Sequence, residues 1–115
     1  MDIKEQKSLK KQFLIYSIGI LNSLQQNLIT PNEAFSILFK PTVTEWLIEN
    51  KFDKELIELI DKATELEDIK ELVPHSYEKI LTELHENALK QLKEIPEIQM
   101  GSIFWNKNVL KMFET

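Results

Sequence analysis

Phe13 to Ile29, FLIYSIGILNSLQQNLI, is the most apolar stretch of the chain. At about 100° per residue, Phe13, Leu14, Tyr16, Ile18, Ile20, Leu21, Leu24 and Leu28 cover well over half of a helix circumference, where a surface helix needs only a stripe. Gly19, Asn22, Ser23 and Gln26 mark the opposite side, and Ile15 intrudes even there. The stretch predicts a central helix, from near Lys4 to near Asn27, that touches neighbours on most of its faces. Its lysine-rich first turns point into solvent, and Gly19 would let another helix approach closely.

The segments that follow supply the neighbours. Thr30-Pro31-Asn32-Glu33 reads as a helix start: threonine as cap, proline at the first helical position, and glutamate reaching back to the cap amide. Ala34, Phe35, Leu38 and Phe39 form the buried face of this short helix, which Lys40-Pro41 closes. Thr42-Val43-Thr44-Glu45 repeats the device and opens a third helix through about Asn50, burying Val43, Trp46 and Leu47. Asp53 caps a fourth, with Leu56, Leu59, Ile60 and Ala63 on one face. Were it unbroken, Leu66, Ile69 and Leu72 would follow at steps of three, and the apolar stripe would slide around the axis. Thr64-Glu65-Leu66-Glu67, a further capping box, predicts a break near Ala63 and a restart at Glu65, running to about Leu72 before Pro74.

Ser76 is the expected cap of the last long helix. There Tyr77, Leu81, Leu84, Ala88, Leu92 and Ile95 recur at amphipathic spacing until Pro96 ends it. The tail from Pro96 onward turns at Gly101, with Asn106 capping one final turn or two. Its Ile103, Phe104, Trp105, Val109, Leu110, Met112 and Phe113 need burial, on the bundle or against a second chain. Ile98 to Ile103 is the only weak strand candidate. The expectation is an all-α fold: a small helical bundle of about five to six helices around the apolar N-terminal helix. It forms one domain over residues 1–115, with a bundle core at about 4–95 and an aromatic-rich tail at 96–115.

Composition narrows function. The net charge is −5, and all fourteen basic residues are lysine, so arginine, the side chain best suited to bidentate grip on phosphate or guanine, is missing. Nucleic acid is a poor partner on this ground, and a basic protein a better one. The two short helices from Thr30 to Asn50 invite a helix-turn-helix reading, but the second presents Glu45 and Glu49 and no basic side chain before Lys51. With no cysteine, disulfides, thiolate catalysis and sulfur-ligated metals are excluded, as suits the cytoplasm. Lys4, Lys7, Lys10 and Lys11 before the apolar run imitate a secretory signal. Asp2 and Glu5 dilute that charge, however, and helical spacing continues past the run. The run also falls short of the roughly 20 apolar residues of a membrane span.

No residue set spells a reaction. His75 and His85 lie about three turns apart, too far for one metal. No serine sits in a nucleophile elbow, and the two glycines build no phosphate loop. Paired carboxylates remain as a minor enzymatic reading, but a bundle of this size rarely provides their cleft. The anomaly is charge: from Glu45 to Glu71 there are ten acids against four lysines. Part of this offsets a helix dipole at Glu65, Glu67 and Asp68. The rest suggests a surface around Glu58, Asp61, Glu65, Glu67 and Asp68 that steers a basic partner, as inhibitors of nucleases do. The expectation is a non-enzymatic binding protein with no cofactor. The alternative is a homo-oligomeric scaffold or weak homodimer associating through Phe104, Trp105 and Phe113.

Leu28-Ile29-Thr30-Pro31-Asn32-Glu33-Ala34, Leu38-Phe39-Lys40-Pro41, Glu65-Leu66-Glu67-Asp68 and Leu72-Val73-Pro74 together resemble a family of short, uncharacterised bacterial proteins. The resemblance covers roughly Phe13 to Leu92 and leaves the aromatic tail outside. It implies a stand-alone all-helical domain and lends no catalytic residues. It also implies, for some members, a role as immunity proteins of contact-dependent toxin systems, in which a small cytoplasmic protein blocks the toxin domain of its own cell.

Overall fold

The computed structural model describes residues 1–101 and 106–112. Among them stand seven helices and no strand: α1 (Ile3–Gln25), α2 (Pro31–Ile37), α3 (Pro41–Glu49), α4 (Lys54–Ala63), α5 (Leu66–Leu72), α6 (Pro74–Lys93) and α7 (Lys107–Met112). The protein is thus an all-α bundle, and Ile98 enters no strand.

Helix starts follow local chemistry unevenly. Asp2 caps α1, its carboxylate accepting from the Glu5 amide at 2.7 Å. At α2 the full capping box forms: Thr30 Oγ1 accepts from the Glu33 amide at 3.1 Å while Glu33 accepts from the Thr30 amide at 3.0 Å. The boxes expected at Thr42 and Thr64 and the cap expected at Ser76 do not form. Pro41 and Pro74 take the first helical position of α3 and α6, so Lys40 and Val73 are the caps, and Thr42 and Ser76 fall inside the first turn. The break after Ala63 stands where the sliding stripe requires it, but Thr64 donates its hydroxyl back to the Asp61 carbonyl at 2.6 Å rather than capping α5. Asp53 does precede α4. Its carboxylate is drawn to the Lys10 ammonium at 3.1 Å instead of the helix amides.

Helices α1 and α3 end without glycine. Asn27 and Lys51 each adopt φ 58, and the following amides, Leu28 and Phe52, bond back to Ser23 and Leu47, the closing pattern of a Schellman motif. This turn throws Leu28 out of the helical register, and its side chain is 71% exposed.

Helix α1 packs most extensively on α6, and also touches α2 and α4. Its Leu9, Phe13, Leu14, Ile20, Leu21 and Leu24 are buried in a core shared with Val43, Leu47, Leu56, Ile60, Leu66 and Leu81. Around Phe13 the rings of Trp46 and Phe52 stand with centroids at 5.9 and 6.2 Å. The expectation that α1 would be enclosed on most faces is corrected. Ile15 and Tyr16 are exposed, Ile18 is half-buried, and a Cβ at Gly19 would meet nothing within 4 Å. Its neighbours all lie toward one side, so Gly19 serves no close approach. Phe35 on α2 is likewise exposed, while Ala34, Leu38 and Phe39 are buried as expected. Leu92 and Ile95 reach the core only in part.

Beyond Pro96 the chain returns to α1. Ser8 Oγ accepts from the Gly101 amide at 3.1 Å, Gln12 donates to the Gly101 carbonyl, and Lys11 donates to the Pro96 carbonyl at 3.0 Å. Asn106 caps α7 through bonds from the Asn108 and Val109 amides at 2.9 and 3.1 Å. Val109 and Met112 are buried, and α7 rests on α3. Among the described residues no helix is long and apolar enough to cross a membrane.

Candidate protein-docking site

Burial of Leu56, Leu59, Ile60 and Ala63 dictates what the rest of α4 presents outward: Glu55, Glu58, Asp61 and Lys62. Glu58 lies 3.6 Å from Lys54, and Lys62 lies 3.2 Å from Glu65 across the α4–α5 turn. Both pairs are open to solvent and worth little to stability. On α5, burial of Leu66 and Ile69 leaves Glu67 and Asp68 exposed in the first turn, where they offset the helix dipole. All five acids read from the sequence, Glu58, Asp61, Glu65, Glu67 and Asp68, are therefore on the surface. They follow one another along α4 and across its turn into α5.

Glu58 also lines a concavity. Between α4 and α6 runs an open groove of about 440 Å³. Its floor is apolar, from Leu59, Ile80 and Leu84. One rim is Glu55, Glu58 and Lys62, at i, i+3 and i+7 on α4; the other is Glu83, Lys90 and Glu94, at i, i+7 and i+11 on α6. Gln91, 4% exposed, crosses from α6 to α4, donating to the Glu55 carbonyl at 3.1 Å and to Asn87 Oδ1 at 2.7 Å. Its Oε1 has no hydrogen-bond partner among the described residues. The lining offers carboxylates, two lysines and two amides to a guest, and no hydroxyl or imidazole.

Glu55, Glu83 and Glu94 were missed in the sequence because the groove joins segments some thirty residues apart. The usable signal was that each rim is a single stripe of its helix.

Elsewhere, His75 is exposed at the start of α6 and His85 half-buried along it. Among the described residues no three histidines or carboxylates gather where a metal could be held. Tyr77 is buried, and desolvation, with help from the neighbouring Glu78 carboxylate, raises its phenol above the ordinary 10.0. The Lys70 ammonium stands 5.1 Å over its ring. Phe104, Trp105 and Phe113, the expected association residues, lie outside the described residues.

A family model described as a protein of unknown function, DUF3969, matches residues 4–107. No curated protein and no solved structure matches the chain.

Proposed function

The chain belongs to the DUF3969 family, and for this member we propose a non-enzymatic protein-binding role of the immunity kind: a cytoplasmic domain that neutralises a basic toxin domain by covering its cleft with an acidic surface. The observation that carries the reading is that Glu58, Asp61, Glu65, Glu67 and Asp68 are all exposed along α4 and α5, while the apolar residues between them are spent on the core. Packing accounts for the apolar residues. It does not require ten acids against four lysines between Glu45 and Glu71, less than a quarter of the chain. Such a surface accelerates encounter with a cationic partner and discriminates against acidic ones.

The test is capture of a partner by the tagged full-length chain from the cells that make it, with salt elution in parallel. D61N/E65Q/E67Q/D68N then follows against the captured partner. The expected result is one stoichiometric basic protein, weakened about tenfold or more by the four neutralisations, with a flatter salt dependence. Co-expression of the native chain should also relieve that partner's toxicity. Recovery of the chain alone, or a partner indifferent to both salt and charge removal, rejects the reading.

A further inference from the structure

We propose that the α4–α6 groove is the seat of a basic amphipathic helix supplied by the partner, an inference that rests on the protein-binding reading above and gives it a geometry. Three features argue for this occupant. The rims carry Glu55, Glu58, Glu83 and Glu94 against Lys62 and Lys90, and Lys62 is already drawn to Glu65. Glu55, Glu83 and Glu94 stand in no ion pair among the described residues, so their charge is available to a guest. The complement of this lining is cationic along both edges and apolar along the middle.

The floor decides the rest of the guest's character. Half-buried Ile80, between the largely covered Leu59 (4% exposed) and Leu84 (7%), gives a narrow apolar strip between two helices, the place where the ridge of a third helix packs. Glu83 on α6 and Glu94 at its C-cap are eleven residues apart, about 16 Å along the axis, so three turns of a guest helix span them. An extended guest is disfavoured, because no strand among the described residues offers it an edge to join. Lys90 sits between Glu83 and Glu94 on the same rim, so the matching guest carries a polar or acidic residue there, flanked by cations.

The probe is a synthetic helical peptide of about four turns, leucines on one face, lysines on both flanks and a single glutamate midway. A scrambled peptide of the same composition, with no apolar face, is the control. Fluorescence anisotropy and amide NMR shifts are read on the full chain. Expected are binding about tenfold tighter than for the scrambled peptide, and shifts centred on residues 55–62 and 80–94. E55Q/E83Q/E94Q should weaken binding by about tenfold, whereas D61N/E67Q/D68N, which leaves Glu65 on Lys62, should leave it within about threefold. All six positions are exposed, and circular dichroism melts verify that both variants fold.

Equal binding of the two peptides, no binding at all, or equal loss in both variants overturns the groove inference. So does loss confined to D61N/E67Q/D68N, which leaves the acidic-surface reading standing by itself. If sedimentation shows a dimer of the native chain that E55Q/E83Q/E94Q dissociates, the occupant is a second copy and the proposal is likewise overturned. Failure of the broader reading is seen separately, as indifference of the captured partner to D61N/E65Q/E67Q/D68N.

Discussion

Ser17 lies in the middle of α1 with no exposed surface, and its hydroxyl has no hydrogen-bond partner among the described residues. A buried hydroxyl left unpaired costs the desolvation of its polar atoms with nothing in return. Ser17→Ala is therefore expected to stabilise the protein by about 1 kcal/mol, seen as a higher urea midpoint at unchanged slope; a lower midpoint would show that the hydroxyl is satisfied. Tyr77 gives a pH dependence. Its folded-state phenol is raised above 10.0, so the unfolded chain loses this proton first. The stabilising contribution is complete below pH 10 and is lost as pH rises through the raised value. Urea midpoints at neutral and strongly alkaline pH should fall more for the native chain than for Tyr77→Phe; an equal fall assigns the alkaline loss to other groups. Neither residue was legible in sequence as a point of strain. A serine within an apolar run gives no sign of whether its hydroxyl finds a partner: Ser23 on the same helix shares the Gly19 carbonyl, while Ser17 is left unpaired.

At the scale of elements, proline decided which start signals were real. Thr30 and Pro31 sit in the order that puts threonine at the cap, and the box closes. In Pro41-Thr42 and Pro74-His75-Ser76 the proline comes first, and the same hydroxyls are carried into the first turn. Thr30→Ala should cost about 1 kcal/mol, whereas Thr42→Ala and Ser76→Ala should each stay within about 0.5 kcal/mol. Thermal melts of the three variants separate these expectations, and a comparable loss in all three would reinstate the caps. The break between α4 and α5 was legible from geometry, because an apolar stripe cannot drift and still face one core. The helix ends near Asn27 and Asn50 were legible too, but the left-handed turns that close them were not: the residues in that conformation are Asn27 and Lys51, while the two glycines lie elsewhere.

For the whole molecule, the core is read most directly at Phe13, fully buried against Trp46 and Phe52, whose own rings meet at a tilt with centroids 5.4 Å apart. Phe13→Ala should cost about 3–5 kcal/mol, a large share of the roughly 5–15 kcal/mol that holds a domain of this size. A loss below about 1 kcal/mol in urea unfolding would mean that the core is not organised on this ring. The bundle and its core were legible because apolar spacing reports burial within each helix. Which side of α1 stays open, and which acids face each other across a groove, depend on how helices far apart in sequence are laid together, and no single helix encodes that. The pairing of α1 with α6 has one further consequence, in the order of synthesis. Ribosomes add about 5–20 residues per second, so the apolar side of α1 emerges several seconds before the segment that covers it exists. During that interval the nascent chain displays Phe13, Leu14, Leu21 and Leu24, a ready ligand for a ribosome-associated chaperone, and the core cannot close until α6 has been made.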